Sequence, residues 1–308
     1  MISYYWVMLL SVMIGCSVTN WFVVVFMMEL LLFTVLFMSY EYKLLGQINS
    51  CVKYFLVQSV SSLLLLLGGI FCMYLYTMHF FPQSLFLWGL FLKLGVFPLH
   101  FWVIPVNKTL TYTLIGVIGS PLKILPLMMM FQYYHFYFSK YSFSSSWFLM
   151  LGVMSMVIGM MIGFLAVSLR IMLGASSIAH TGWFLFSIPG YVMVEYFLLY
   201  SAGLFLVISS MNFLRSPLSC LSLLCLSGLP PFSVFTGKLM VVYSYMASTN
   251  SLVFMILALL TSALSLFYYM KFSLAIYMFP NNVWSLNLSQ SSLFLCNFAA
   301  SCFWFMFF

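Results

Sequence analysis

The sequence predicts an all-α membrane protein, a polytopic bundle of about eleven transmembrane helices. Three observations predict it. Only 4% of the 308 residues are charged and 65% are hydrophobic, against roughly 25% charged residues in soluble domains, so lipid must cover most of the exterior. The apolar runs last about 17 to 25 residues, the length with which a helix crosses a hydrocarbon core of ~30 Å. They also lack the polar-apolar alternation of barrel strands, and in hydrocarbon only helices and closed barrels satisfy every backbone N–H and C=O.

Apolar runs read against polar or Pro/Gly interruptions place helices at about 2–18, 21–39, 53–78, 84–104, 110–132, 147–168, 172–190, 194–213, 219–247, 251–279 and 291–307. The first ends at the polar stretch before Asn20, and the second at Tyr40 to Ser50. Pro82, Asn107 to Thr109, the serines at 142–146, Arg170, Pro189-Gly190, Arg215 to Pro217, Ser248 to Asn250 and the stretch 280–290 mark the later boundaries. These interruptions are short, so residues 1–308 read as a single membrane-embedded domain with no segment for a water-exposed catalytic domain.

An odd number of spans puts the termini on opposite sides. Basic residues favour the side of insertion, and Lys43, Lys53, Lys108, Arg170, Arg215 and Lys271 fall toward the N-terminal side, with only Lys140 opposite. The N-terminus is therefore expected in the negative compartment, cytoplasm or matrix. Tyr4, Trp6, Trp21, Tyr40, Tyr133, Tyr134 and Trp147 suit the interfacial belt. No basic n-region or Arg-rich transit segment opens the chain, so no cleaved targeting peptide is expected.

The formal charge of +7 does not indicate nucleic acid, because the basic residues are spread singly and cannot follow a phosphate backbone. Cys16, Cys51, Cys72, Cys220, Cys225, Cys296 and Cys302 show no metal-ligand spacing and read as small buried apolar residues.

Chemistry is expected where charge sits at bilayer depth, since a charge there costs about 2.5 to 3.5 kcal/mol on insertion scales. Glu29, Lys93, Lys123 and Lys238 qualify. Lys53 and Lys271, nearer helix ends, read as snorkelling side chains. The chain has no Asp, and Glu29 is the only acid in the middle of a span. It either pairs with a lysine, Lys93 being the candidate, or is held protonated by desolvation.

The fourth and ninth predicted helices are interrupted alike, one at Lys93, Gly95 and Pro98, the other at Gly228, Pro230, Pro231, Gly237 and Lys238. Proline removes an amide donor, and broken helices in corresponding places of two halves point to inverted repeats around a midplane ion site. A plain kink is the alternative for either helix alone. His79 and His135 read as interfacial. His100 and His180 lie within spans, where proton relay and a structural hydrogen bond both remain open. No second ligand stands at i+3 or i+4 to make a metal site.

The segments VKYFLVQSVSSLLLL at 52–66, LKLGVFPLHFWV at 92–103, LRIMLGASSIAHTGW at 169–183 and LSGLPPFSVFTGKL at 226–239 resemble the signatures of the chain 2 family of NADH:ubiquinone oxidoreductase, antiporter-like subunits of respiratory complex I. They cover about a fifth of the chain, in the family's order. The resemblance implies two inverted five-helix repeats with two broken helices, and proton transfer along a hydrated Glu/Lys/His axis driven by electron transfer in partner subunits. It implies the mitochondrial inner membrane, with the N-terminus on the matrix side and the C-terminus on the intermembrane-space side. It also implies no cofactor in this chain, while NADH, FMN, iron–sulfur clusters and ubiquinone are expected in the complex. Partners are then neighbouring antiporter-like and other membrane subunits, and lipids.

Residue by residue, Glu29 and Lys93 match the family's carboxylate–lysine pair, Lys123 its central-axis lysine and Lys238 the lysine of the second broken helix. His100 and His180 match its histidine motifs as relay candidates. Two departures stand out: Val103-Ile104-Pro105-Val106 replaces a Val-Pro-Glu continuation, and Leu169-Arg170-Ile171 replaces Leu-Arg-Lys.

Three functions compete. A proton pump needs a partner's energy, because the chain has no nucleotide-binding loop or redox ligand set. An independent cation/proton antiporter is disfavoured by one buried acid among several lysines. A scaffold would use the buried charges only to lock helices together.

Overall fold

The structure, a computed structural model, describes residues 2–41, 45–74, 80–141, 146–211, 217–248, 252–278, 297 and 299. Among them all regular structure is helical. The helices are α1 (Ile2–Ser17), α2 (Trp21–Glu41), α3 (Leu45–Tyr74), α4 (Phe80–Leu94), α5 (Val103–Thr109), α6 (Tyr112–Gly119), α7 (Pro121–Tyr141), α8 (Ser146–Leu165), α9 (Leu169–Ser187), α10 (Met193–Met211), α11 (Pro217–Ser227), α12 (Ser233–Ser248) and α13 (Leu252–Met278). They account for the first ten expected spans, with α4/α5, α6/α7 and α11/α12 each sharing one. The eleventh, 291–307, lies outside the described residues apart from Asn297 and Ala299.

Two compact units divide the chain, Met1–Ser145 and Ser146–Phe308. In each, the fourth span is a broken one, α4/α5 in the first and α11/α12 in the second.

In the first unit α4 runs back along α3 at very short range. A Cβ on Gly68 would lie 2.7 Å from the Phe86 amide nitrogen, and one on Gly89 would lie 2.8 Å from Leu65 Cγ. Small residues at such a seam allow the backbone approach on which membrane helix packing relies. Tyr54 and Trp102 continue the same antiparallel register past the break, with ring centroids 5.7 Å apart. The second unit has a comparable seam between α8 and α9. There a Cβ on Gly159 would lie 2.6 Å from the Ala179 nitrogen, and one on Gly182 would press on the Gly152 carbonyl and Ser155.

Polarity is distributed in reverse of a soluble protein. Phe22, Phe26, Phe33 and Phe37 form an exposed stripe on α2, and Leu252, Ile256, Leu260 and Phe267 do so on α13, whereas Lys93, Lys123, Gln58 and His180 are buried. Lipid is the solvent for the first set, and the protein interior shelters the second.

Several boundaries depart from expectation. Helix α4 stops at Leu94, with a turn over 95–102 before α5, and the span expected over 110–132 breaks at Ser120. The Ser120 amide and hydroxyl both close onto the Gly116 carbonyl, and Pro121 restarts the helix as its first residue, where the missing N–H costs nothing. Helix α3 starts at Leu45, so Lys53 sits inside a helix with its side chain exposed. Lys271 is likewise an exposed residue within α13. Cys51, Cys220 and Cys225 are buried and Cys72 partly so, but Cys16 is exposed. Cys16 corrects the buried reading: on an apolar exterior, lipid rather than protein provides its surroundings. Lys43, His79, Arg215, Cys296 and Cys302 lie outside the described residues.

Candidate functional site

The first centre is built on the end of α4. Lys93 occupies its last turn, and Gly95, at φ +72°, turns the chain there; its amide and that of Val96 both donate to the Phe91 carbonyl. A left-handed φ is strained for any residue with a Cβ, and a Cβ at Gly95 would also lie 2.7 Å from Val103 Cγ2. The break frees carbonyls, and the Trp102 indole N–H donates to that of Leu92 at 3.0 Å. Lys93 Nζ reaches Glu29 Oε1 on α2 at 3.3 Å, with the lysine side chain 4% and the glutamate 26% exposed. Lys123, in the first turn of α7, is buried. Lys93 and Lys123 line one cavity of about 20 Å³ with Tyr54, Gln58 and Trp102, room for a water molecule.

The second centre lies at the other break. Gly228, at φ +82°, ends α11, and Lys238 on α12 donates to the freed carbonyl of Ser227 at 2.9 Å. Its ammonium also stands 5.9 Å from the centre of the Trp183 ring. Among the described residues no carboxylate forms an ion pair with Lys238. His180 on α9 shares a hydrogen bond with the Tyr196 hydroxyl at 2.7 Å and packs on Tyr200, ring centroids 4.6 Å apart. His180, Lys238, Trp183, Tyr268 and Tyr269 line a cavity of about 10 Å³. Asn297 anchors the start of α12, its side-chain oxygen accepting the Ser233 hydroxyl at 2.8 Å.

A family model described as NADH:quinone oxidoreductase/Mrp antiporter, TM, matches residues 18–265. The chain belongs to this family. It is similar to NADH-ubiquinone oxidoreductase chain 2 of Albinaria caerulea, 34% identical over 277 residues covering 89% of this chain and 88% of that one. It is also similar to the chain of that name from Anopheles gambiae, 31% identical over 77% of this chain and 74% of the relative. Among solved structures, a chain of respiratory complex I from Thermus thermophilus superposes with a TM-score of 0.82 at 19% identity, covering 97% of this chain and 77% of that one. A chain of the Mrp complex from Dietzia gives 0.70 at 18% identity, over 82% and 56%. At such identities the two structures speak for the antiporter-like fold alone.

Within this chain, the expected residues sort into two groups. Glu29, Lys93 and Lys123 come together in the first unit, and Lys238 and His180 in the second. His100 stays apart: it sits half-buried in the turn over 95–102, beside Phe97, and does not line the cavity that holds the lysines. Sequence reasoning missed Tyr54 and Gln58 on α3, Tyr196 and Tyr200 on α10, and Tyr268 and Tyr269 on α13. Tyr54 with Gln58, and Tyr196 with Tyr200, stand four apart within apolar helices, so helical spacing was the available signal for them; the adjacent Tyr268 and Tyr269 carried none. Twenty tyrosines in the chain drowned it.

Proposed function

We propose that this chain is a proton-translocating membrane subunit of NADH:ubiquinone oxidoreductase, with Glu29, Lys93, Lys123 and Lys238 as its protonatable stations. The observation that carries the reading is the joint placement of Lys93 and Lys123 on one cavity, with Glu29 paired to Lys93 at 3.3 Å. With Glu29 ionised, the Lys93 cation is held by its partner. When a proton neutralises Glu29, the Lys93 charge loses its counter-ion, and a charge on Lys123 across the cavity repels it. Proton gain on one side of Lys93 is thereby linked to proton movement on the other.

Moving a charge against the membrane potential costs about 2.3 kcal/mol per 100 mV, and the drive comes from partner subunits that hold NADH, FMN, iron–sulfur clusters and ubiquinone. His180 serves as a relay beside Lys238, supported by their shared cavity. His100 takes no part in the cavity that holds Lys93 and Lys123, and its relay role rests on the family resemblance alone. We place the chain in the mitochondrial inner membrane with its N-terminus on the matrix side, among antiporter-like neighbours and lipid, as one membrane-embedded domain.

The test is protons pumped per electron in the assembled complex carrying Lys123→Met or Lys238→Met. A clear fall with assembly intact is expected. Unchanged stoichiometry would favour a scaffold, and gradient-driven cation exchange by the isolated chain in liposomes would favour an independent antiporter.

A further inference from the structure

Lys238 is held by groups that cannot take its proton, the Ser227 carbonyl and the Trp183 ring. Any exchange must therefore run to another group on its cavity. Thr261, Ser262 and Ser265 line that cavity, but each has its hydroxyl turned to a backbone carbonyl three residues back on α13, at 2.9, 2.8 and 2.6 Å. Tyrosine hydroxyls ionise only at about pH 10. Among the described residues lining the cavity, His180 is thus the one besides Lys238 suited to take up a proton near neutrality.

Tyr196 on α10 touches both sides of that exchange. It is fully buried, and its hydroxyl lies 2.7 Å from His180 Nδ1. Its ring lies against Gly237, the residue before Lys238 on α12, where a Cβ would come within 2.9 Å of Tyr196 Cδ2. Phe184 from α9 packs on the same ring, centroids 5.3 Å apart, so the tyrosine is wedged between α9 and α12.

The bond to Nδ1 decides what the histidine can do. Neutral imidazole carries its hydrogen on one nitrogen, and the hydrogen bond at Nδ1 sets which. With Tyr196 as donor, Nε2 holds the hydrogen and cannot take another. With Tyr196 as acceptor, Nδ1 holds it and Nε2 offers a lone pair. A protonated imidazole donates from both nitrogens, so only the second arrangement survives the gain and loss of a proton unchanged.

We propose that Tyr196 is the positioning residue of the second centre: its oxygen accepts the His180 Nδ1–H and leaves Nε2 open to a proton from Lys238, while its ring against Gly237 sets the spacing of histidine and lysine. This role rests on the proton-pump reading above. In the step, one Lys238 N–H bond breaks and one His180 Nε2–H bond forms. The ammonium becomes an amine and the imidazole an imidazolium, the bond to Tyr196 persists, and no co-reactant is consumed.

The experiment uses the assembled complex in vesicles. Tyr196→Phe keeps the ring against Gly237 and removes only the hydroxyl; proton-coupled turnover is expected to slow about threefold to tenfold, the rate factor for one neutral hydrogen bond. In a His180→Phe background the same change is expected to do nothing further, whereas equal slowing in both backgrounds would mark a structural role and overturn the proposal. Infrared difference spectra with isotope-labelled histidine should show the ring mode of the Nδ1–H tautomer in the native complex, a band that His180→Phe abolishes and Tyr196→Phe shifts. An Nε2–H tautomer there, or full turnover in Tyr196→Phe, would also overturn it, and the native spectrum decides if a variant does not assemble. Lys238→Met in parallel separates the two readings: a loss there with Tyr196→Phe unaffected removes this role and leaves the pump, whereas no loss in either removes the pump.

Discussion

Lys93 and Lys238 each belong to a broken helix with a left-handed glycine, Lys93 in the last turn before the break and Lys238 on the helix that follows it, and they are held by different means. Lys93 meets a whole negative charge, Glu29 at 3.3 Å. Lys238 meets fractions of charge: the Ser227 carbonyl at the C-terminal end of α11, where the helix dipole is negative, and the face of Trp183. A whole charge can be abolished by one proton, whereas a carbonyl and an indole ring cannot be titrated away. The first lysine is thus built to have its partner switched, and the second to keep a constant one.

Glu29→Gln should have the largest effect, since removing one member of a buried ion pair costs about 3 to 5 kcal/mol. The partial exposure of Glu29 places the expected loss toward the lower end of that range. Thermal unfolding of the assembled complex and protons pumped per electron should both fall. Next comes Gly228→Ala, where a left-handed backbone costs about 1 to 2 kcal/mol and the new Cβ would lie 2.9 Å from Lys238 Nζ. Gly95→Ala should cost a similar amount in melting temperature but leave its lysine in place, because its new Cβ meets Val103 instead.

The cation–π contact of Lys238 with Trp183 should contribute about 1 kcal/mol, read as the coupling between Trp183→Leu and Lys238→Met in the same melting assay, because Trp183 is buried and its truncation alone leaves a costly cavity. A coupling as large as the loss in Glu29→Gln would break the contrast between whole and partial charges. Tyr196→Phe should be smallest, about 0.5 to 1.5 kcal/mol for one hydrogen bond, with turnover slowed only a few-fold. Turnover unchanged within error would remove His180 from the relay.

The two lysine breaks were legible because Gly and Pro next to a buried charge have few other uses in a membrane helix. The break at Ser120 was not, since Pro121 sits at the first position of α7, where proline continues a helix as readily as it ends one. The start of α3 was misplaced for a related reason. Gln47 and Ser50 were read as loop because they are polar, but they are buried, and in a bundle bathed in lipid, polarity marks the inside as often as the ends. The pairing of Glu29 with Lys93 followed from scarcity, there being one mid-span acid to find. The partners of Lys238 did not follow, because a backbone carbonyl has no signature in sequence and Trp183 comes from another helix.

The contact between Asn297 and Ser233 ties the far end of the chain to the helix that carries Lys238. A frameshift or stop codon shortly before position 297 would spare every station and most of both units. It would still remove the Asn297 contact from the start of α12, so a defect written far from Lys238 in sequence would surface as a fault at the second lysine.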